Sequence, residues 1–199
     1  VPSQRELFNL IKIVIHKNIV LEKELKQLKN IVNTRHKKDV LEWLNQSRND
    51  ERKIFMEWYK SVELLEEDLK MALDNDLTKA IEHILKRTET GEKSPICWFK
   101  EKPNQLFVYD YNGELHKKIW RLASHVDIEK MVVFLSHSLL KNFVKWQNEN
   151  RAFFLENDKN KDLEILYMSR ITGIKNPLEK RTAEIKKWLY GLPAICFDS

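Results

Sequence analysis

The sequence predicts a mainly helical chain carrying one small antiparallel β-meander, an α+β fold. Three observations predict it. Apolar residues recur at steps of three and four along most of the 199 residues, the spacing that lines one face of a helix. Glycines and prolines, which interrupt helices, number four and five. One stretch, from Pro95 to Trp120, breaks the helical pattern by alternating, and it contains Asn112-Gly113, a strong hairpin turn signal.

Residues 3–33 read as a single long helix. In heptad terms Leu7, Val14, Leu21 and Leu28 occupy d, and Ile11, Asn18, Leu25 and Val32 occupy a. Leu at d with one Asn at a favours a parallel two-stranded coiled coil, at some cost in stability. Glu22 and Lys29 fall at e, and Lys17 and Glu24 at g, as interhelical charge pairing requires. The expected oligomerisation residues are therefore Leu7, Ile11, Val14, Asn18, Leu21, Leu25 and Leu28, in a homodimer. Leu10 and Ile15 widen the apolar stripe in the first half of the helix.

A short helix follows at 36–46. Ser47 to Asp50 has the spacing of a capping box and opens the next predicted helix. Its stripe is Phe55, Trp58, Val62, Leu65, Leu69 and Ala72, with Glu63, Glu66, Glu67 and Asp68 off it. Asp76 caps a further helix through Leu77, Ala80, Ile81, Ile84 and Leu85, and a polar loop at 88–95 leads into the meander.

The meander is predicted as strands at 96–100, 105–111 and 114–120, with a first turn at 101–104. Counting outward from Asn112 and Gly113 pairs Tyr109 with His116 and Val108 with Lys117. Because side chains alternate, Phe107, Tyr109, Tyr111, His116 and Lys118 share one face. Leu106, Val108, Leu115 and Ile119 share the other, an aliphatic core face.

After the meander, Ser124 and Asp127 form a second capping-box pattern. The helix at 125–147 is apolar around much of its circumference, so it is expected to be the buried centre of the domain, lying across the sheet. Residues 150–160 read as a loop or broken helix. A helix at 161–172 stops at Gly173. The last helix is expected to open with Asn176 as N-cap and Pro177 at its first position, and to bury Leu178, Ile185, Trp188, Leu189 and Leu192. The cleanest boundary falls near 90–95, dividing a helical region, 1–92, from an α+β region, 93–199.

Composition narrows the function classes. Charged residues make up 33% and apolar residues 42%, which excludes disorder and suits exposed helices. Charge is banded: ten basic against six acidic residues in 1–50, seven against eleven in 51–92, and eighteen against thirteen in 93–199. Cys97 and Cys196 are far apart and outside any CxxC pair, which suits a reduced intracellular protein, cytoplasmic or nuclear. The longest apolar run, Met131 to Leu135, is far too short for a membrane span. The N-terminal apolar stretch near 7–15, interrupted by Asn9 and Lys12, does not read as a signal peptide.

Catalytic patterns are missing from the sequence. There is no phosphate-binding glycine loop, no HExxH and no GxSxG elbow. The six histidines include no pair at i, i+4, and neighbouring Ser136 and His137 point in different directions on a helix. Asp110 and Lys117 share a hairpin face, but Glu114 lies on the other, so a nuclease-like carboxylate–lysine set does not assemble. The expectation is a non-enzymatic interaction or scaffold protein, without cofactor or metal, that assembles through its N-terminal helix and binds a protein partner. The six tryptophans favour that reading. The alternative is nucleic-acid binding. It would use Phe107, Tyr109 and Tyr111 to stack bases, and Lys117, Lys118, Lys180, Arg181, Lys186 and Lys187 to hold phosphates.

Overall fold

The structure, a computed structural model, describes residues 4–35, 40–48, 52–88, 93–100 and 102–192. Nine helices and a three-stranded antiparallel sheet lie among them, the mainly helical α+β fold the sequence predicts. The chain divides into two compact units, Val1–Arg48 and Asn49–Ser199. The division falls well before the expected 90–95, because residues 55–85 share their core with the sheet and the later helices.

The first unit holds α1 (Gln4–Arg35) and α2 (Val40–Ser47). α1 matches the predicted long helix. The capping box expected at Ser47 to Asp50 lies partly outside the described residues.

The second unit begins with α3 (Phe55–Lys60), α4 (Glu66–Asp74) and α5 (Leu77–Thr88). The sequence predicts α3 and α4 as one helix, and two side chains explain the break. Ser61 turns its hydroxyl back to donate to the Trp58 carbonyl (3.0 Å), and the Asp68 carboxylate accepts from the Leu65 N–H (2.8 Å), which starts a new helix at Glu66. Leu65 consequently leaves the apolar stripe and is exposed. Asp76 caps α5 as expected, its Oδ1 accepting from the Lys79 N–H (2.9 Å).

The sheet comprises β1 (Ile96–Trp98), β2 (Leu106–Asn112) and β3 (Lys117–Leu122), in that order. The turn at Lys102–Gln105 has Pro103 followed by Asn104 at φ 65°, and the Gln105 N–H donates to the Lys102 carbonyl. A proline followed by a left-handed asparagine is the type II signature. The second turn differs from expectation. Tyr109 pairs with Trp120, not His116, a slip of four residues. The Asn112 carboxamide oxygen accepts from the N–H groups of Glu114 and Leu115, and the left-handed residue is His116 (φ 47°), not Gly113. The longer loop lets Tyr109 and Trp120 pack across the strands, ring centroids 5.6 Å apart. Because four is even, each strand residue keeps its predicted face. Leu115 and His116 do not, since both now lie in the loop and are exposed.

α6 (His125–Glu149) opens with the predicted capping box: Ser124 Oγ accepts from the Asp127 N–H, and the Asp127 carboxylate accepts from the Ser124 N–H. Ile128, Met131, Val132, Leu135, Leu139 and Phe143 are all 0% exposed. The helix is the centre of the core, but not by lying across the sheet. Its main neighbours are α9, α8 and α3, and α3 is the element that also packs on β2. α7 (Arg151–Leu155) and α8 (Asp158–Thr172) occupy the expected broken region, with Asn157 as N-cap of α8 and Gly173, φ 66°, at its end. α9 (Leu178–Leu189) starts one residue later than predicted. Asn176 does not cap it: the Asn176 side chain donates to Thr78 Oγ1 and to Glu184 instead.

Candidate functional site

Among the described residues, α1 carries a long run of exposed large apolar side chains. Phe8, Ile11, Ile13, Val14, Ile15, Ile19, Val20, Leu21 and Leu25 are between 40% and 58% exposed. Four of these, Ile11, Val14, Leu21 and Leu25, are the a and d residues of the predicted seam, and Asn18 lies exposed among them. The side chains of Leu7 and Leu28 lie outside the described residues. Ile13 and Val20 fall at c and Ile19 at b, beyond a two-helix seam. The heptad reading finds the seam but not these three. His16 and Lys23, both at f, are exposed on a narrow polar face. Nine large apolar side chains over five turns make a patch far larger than scattered surface apolar residues produce.

The hairpin offers less than its sequence suggests. Phe107 and Tyr109 are 3% and 4% exposed, so neither ring has a face open to a base. Phe107 packs edge-on against Phe99. Tyr109 and Trp120 lie beneath the Arg52 guanidinium, which sits 5.8 and 5.0 Å from their ring centroids and donates to the Ser94 carbonyl (3.0 Å). Tyr111 is exposed at the tip, paired across the strands with exposed Lys118, and Lys117 follows. Lys180 and Lys187 are exposed on α9, and Lys186 is half-buried. Arg181 is not on that ridge. It is 6% exposed, because it lies three residues after Leu178 and four before Ile185, on the helix face that packs inward. The six tryptophans are buried or half-buried, so none presents an open interface anchor.

Three charged clusters escape sequence reasoning. Asp68, fully buried, accepts from the Leu65 N–H, pairs with His83 Nδ1 (2.9 Å) and takes a hydrogen bond from Arg87 (2.7 Å). Arg121 bridges Asp110 (2.5 Å) and Asp127 (2.7 Å), which ties β2, β3 and the start of α6 together. Burial pushes the Asp127 pKa up, but hydrogen bonds from Arg121 and Ser124 outweigh it and bring it down to about 2. Arg181 is the third, bonded to neutral oxygens alone. Asp68 is matched by the Arg87 guanidinium, whereas Arg121 meets two carboxylates and leaves one negative charge over; both clusters hold elements in place. Asp110 is held by Arg121 and does not join Lys117 in a nuclease-like set. Ser136 Oγ accepts from Arg181, and no hydrogen bond from its hydroxyl to the His137 ring occurs among the described residues, so no nucleophile–base pair forms there. Among the described residues no group of three or more His, Cys, Asp or Glu side chains can hold a metal, and no helix is long and apolar enough to cross a membrane. Cys97 is buried in β1, and Cys196 lies outside the described residues.

Compared with known proteins, the chain matches no family model, no curated protein and no solved structure.

Proposed function

We propose that the chain is a non-enzymatic interaction protein that assembles through α1 and binds a protein partner on the apolar surface that assembly leaves uncovered. The observation that carries this reading is the exposure of nine large apolar side chains between Phe8 and Leu25. A helix gains most of its stability in proteins from packing an apolar face, and α1 has that face without a cover. A second copy supplies one. Parallel pairing in register sets Asn18 against Asn18, Lys17 at g against the second copy's Glu22 at e, and Glu24 against the second copy's Lys29. Burying Ile11, Val14, Leu21 and Leu25 in such a seam contributes about 1–2 kcal/mol for each side chain. Ile13, Ile19 and Val20 stay outside the seam and form the surface for a protein partner. The non-enzymatic part of the reading rests on the sequence, which carries no catalytic motif.

Sedimentation equilibrium of the full chain tests the assembly. The expected result is a dimer at micromolar concentration that dissociates when Leu21 and Leu25 are both replaced by lysine. A wild-type chain that stays monomeric at high micromolar concentration refutes it.

A further inference from the structure

A cavity of about 420 Å³ lies in the second unit, bounded by α6, the end of α8, the turn after it and the start of α9. Its walls are apolar, chiefly Val133 and Leu140 of α6, Ile171 of α8 and Leu178 of α9. Its polar wall is Arg181 with Ser136, and exposed His137 stands at the rim.

Arg181 is the unexplained group. An ionised side chain this deeply buried normally sits against an opposite charge. Arg181 instead donates to Ser136 Oγ (3.1 Å), to the Asn176 carbonyl (2.9 Å) and to the Gly173 carbonyl (3.4 Å), all neutral, and its Nε has no partner. The two acids near enough to influence it are engaged elsewhere. Asp76 caps α5, and Glu184 accepts from Asn176 (2.6 Å) and lies 4.0 Å from Lys180 Nζ. The carbonyl-rich end of α8 offsets part of the charge, about half a unit at a helix C-terminus. Gly173 makes the arrangement possible: a Cβ there would overlap the Arg181 guanidinium.

We propose that this cavity binds a small organic carboxylate, its apolar body against Val133, Leu140, Ile171 and Leu178 and its carboxylate paired with Arg181. One guanidinium in an apolar chamber neutralises a single negative charge, so a monoanionic carboxylate fits and a phosphate dianion is left under-neutralised. The Ser136 hydroxyl accepts from Arg181 and keeps its own hydrogen to donate to a second carboxylate oxygen. The volume lies within the range of small-molecule sites, where a mainly apolar lining with a few polar groups fixes orientation.

Titration calorimetry of the full chain decides it, with butyrate, hexanoate, octanoate and benzoate as probes and hexanamide and inorganic phosphate as controls. At least one carboxylate should bind, and about tenfold more tightly than hexanamide or phosphate. Arg181→Gln removes the charge and should abolish the preference over hexanamide. That variant risks misfolding, so Val133→Phe, which fills the chamber and leaves Arg181 intact, is the companion. Checked as folded by circular dichroism, it should lose at least tenfold in carboxylate affinity. No carboxylate binding at millimolar concentration, equal binding of hexanoate and hexanamide, or undiminished binding by Val133→Phe would each overturn the proposal.

Discussion

Two helices of this protein are apolar well beyond a single narrow stripe, and they meet opposite fates. α6 places Ile128, Met131, Val132, Leu135, Leu139 and Phe143 at 0% exposure, enclosed by α3, α4, α5, α8 and α9. α1 carries a comparable series, and its described members remain about half exposed. Apolar periodicity measures only how much a helix needs covering. Whether the cover comes from the same chain depends on how many elements the fold can bring around it. The second unit has enough helices to surround α6, whereas Ile11, Val14, Leu21 and Leu25 of α1 are exposed among the described residues. That contrast motivates the proposal that its cover is another molecule.

The largest expected effect breaks the comparison if it fails. Leu135→Ala should destabilise the second unit by about 2–5 kcal/mol, since it opens a cavity in a fully enclosed site. Leu21→Ala, the same change on α1, should leave urea unfolding at low protein concentration within about 0.5 kcal/mol and show its effect in sedimentation instead. Equal destabilisation by both would mean that α1 is covered within one chain.

A second contrast concerns charges. Asp68→Asn removes the acid that holds His83 and Arg87 and caps α4, and should cost about 2–3 kcal/mol in chemical denaturation, a little below the usual range for a fully buried pair because both cations are partly exposed. Asp158→Asn disrupts the exposed pair with Lys161 and should cost under about 1 kcal/mol. If the two costs are alike, the buried Asp68 network contributes no more than an exposed pair.

These examples also show what was legible in the sequence. Helix and strand identities were readable because 3.6-residue and two-residue periods differ plainly, and Ser124 with Asp127 announced the start of α6. The α3–α4 break was not, because the apolar spacing from Phe55 to Ala72 runs straight through it. The hairpin register is not legible either, because Asn112-Gly113 is a strong local turn signal and the pairing of Tyr109 with Trp120 lies four residues further on. By residue type alone Asp68 and Arg181 read as surface charges. The signal that could find them is position: Asp68 sits four residues before buried Ala72, and Arg181 lies three residues after Leu178 and four before buried Ile185. Charged residue type hid an inward-facing place. The exposure of α1 was readable only as a heptad, since a sequence pattern does not say which elements will lie nearby.

On α1 itself, Asn18→Ile sharpens the assembly reading. Exchanging a polar a-position for an apolar one should strengthen association by about 1–2 kcal/mol per chain and loosen the choice of stoichiometry. Sedimentation equilibrium at several concentrations reads both. An unchanged association constant would place Asn18 outside the seam and exclude the parallel register.

The smallest effect is a pH dependence that belongs to the second unit alone. The Asp127 carboxylate is held at about 2 in the folded protein, against an ordinary value of 3.8. A carboxylate whose folded pKa is depressed binds fewer protons folded than unfolded, so its stabilisation is complete above the unfolded value and fades as pH falls toward the folded one. The Arg121–Asp127 link should therefore contribute fully above about pH 5 and lose its effect between about pH 4 and 2. Solvent screening of this partly exposed pair limits the contribution to about 1 kcal/mol. Asp127→Asn should remove that portion of the acid dependence, measured as the difference in urea midpoint between neutral pH and about pH 3. The Asn18→Ile variant should keep it, because Asn18 does not titrate and lies in the other unit. If Asp127→Asn leaves the acid dependence intact, Asp127 is not the carboxylate that Arg121 holds ionised, and the bridge joining β2, β3 and α6 must draw its charge from Asp110.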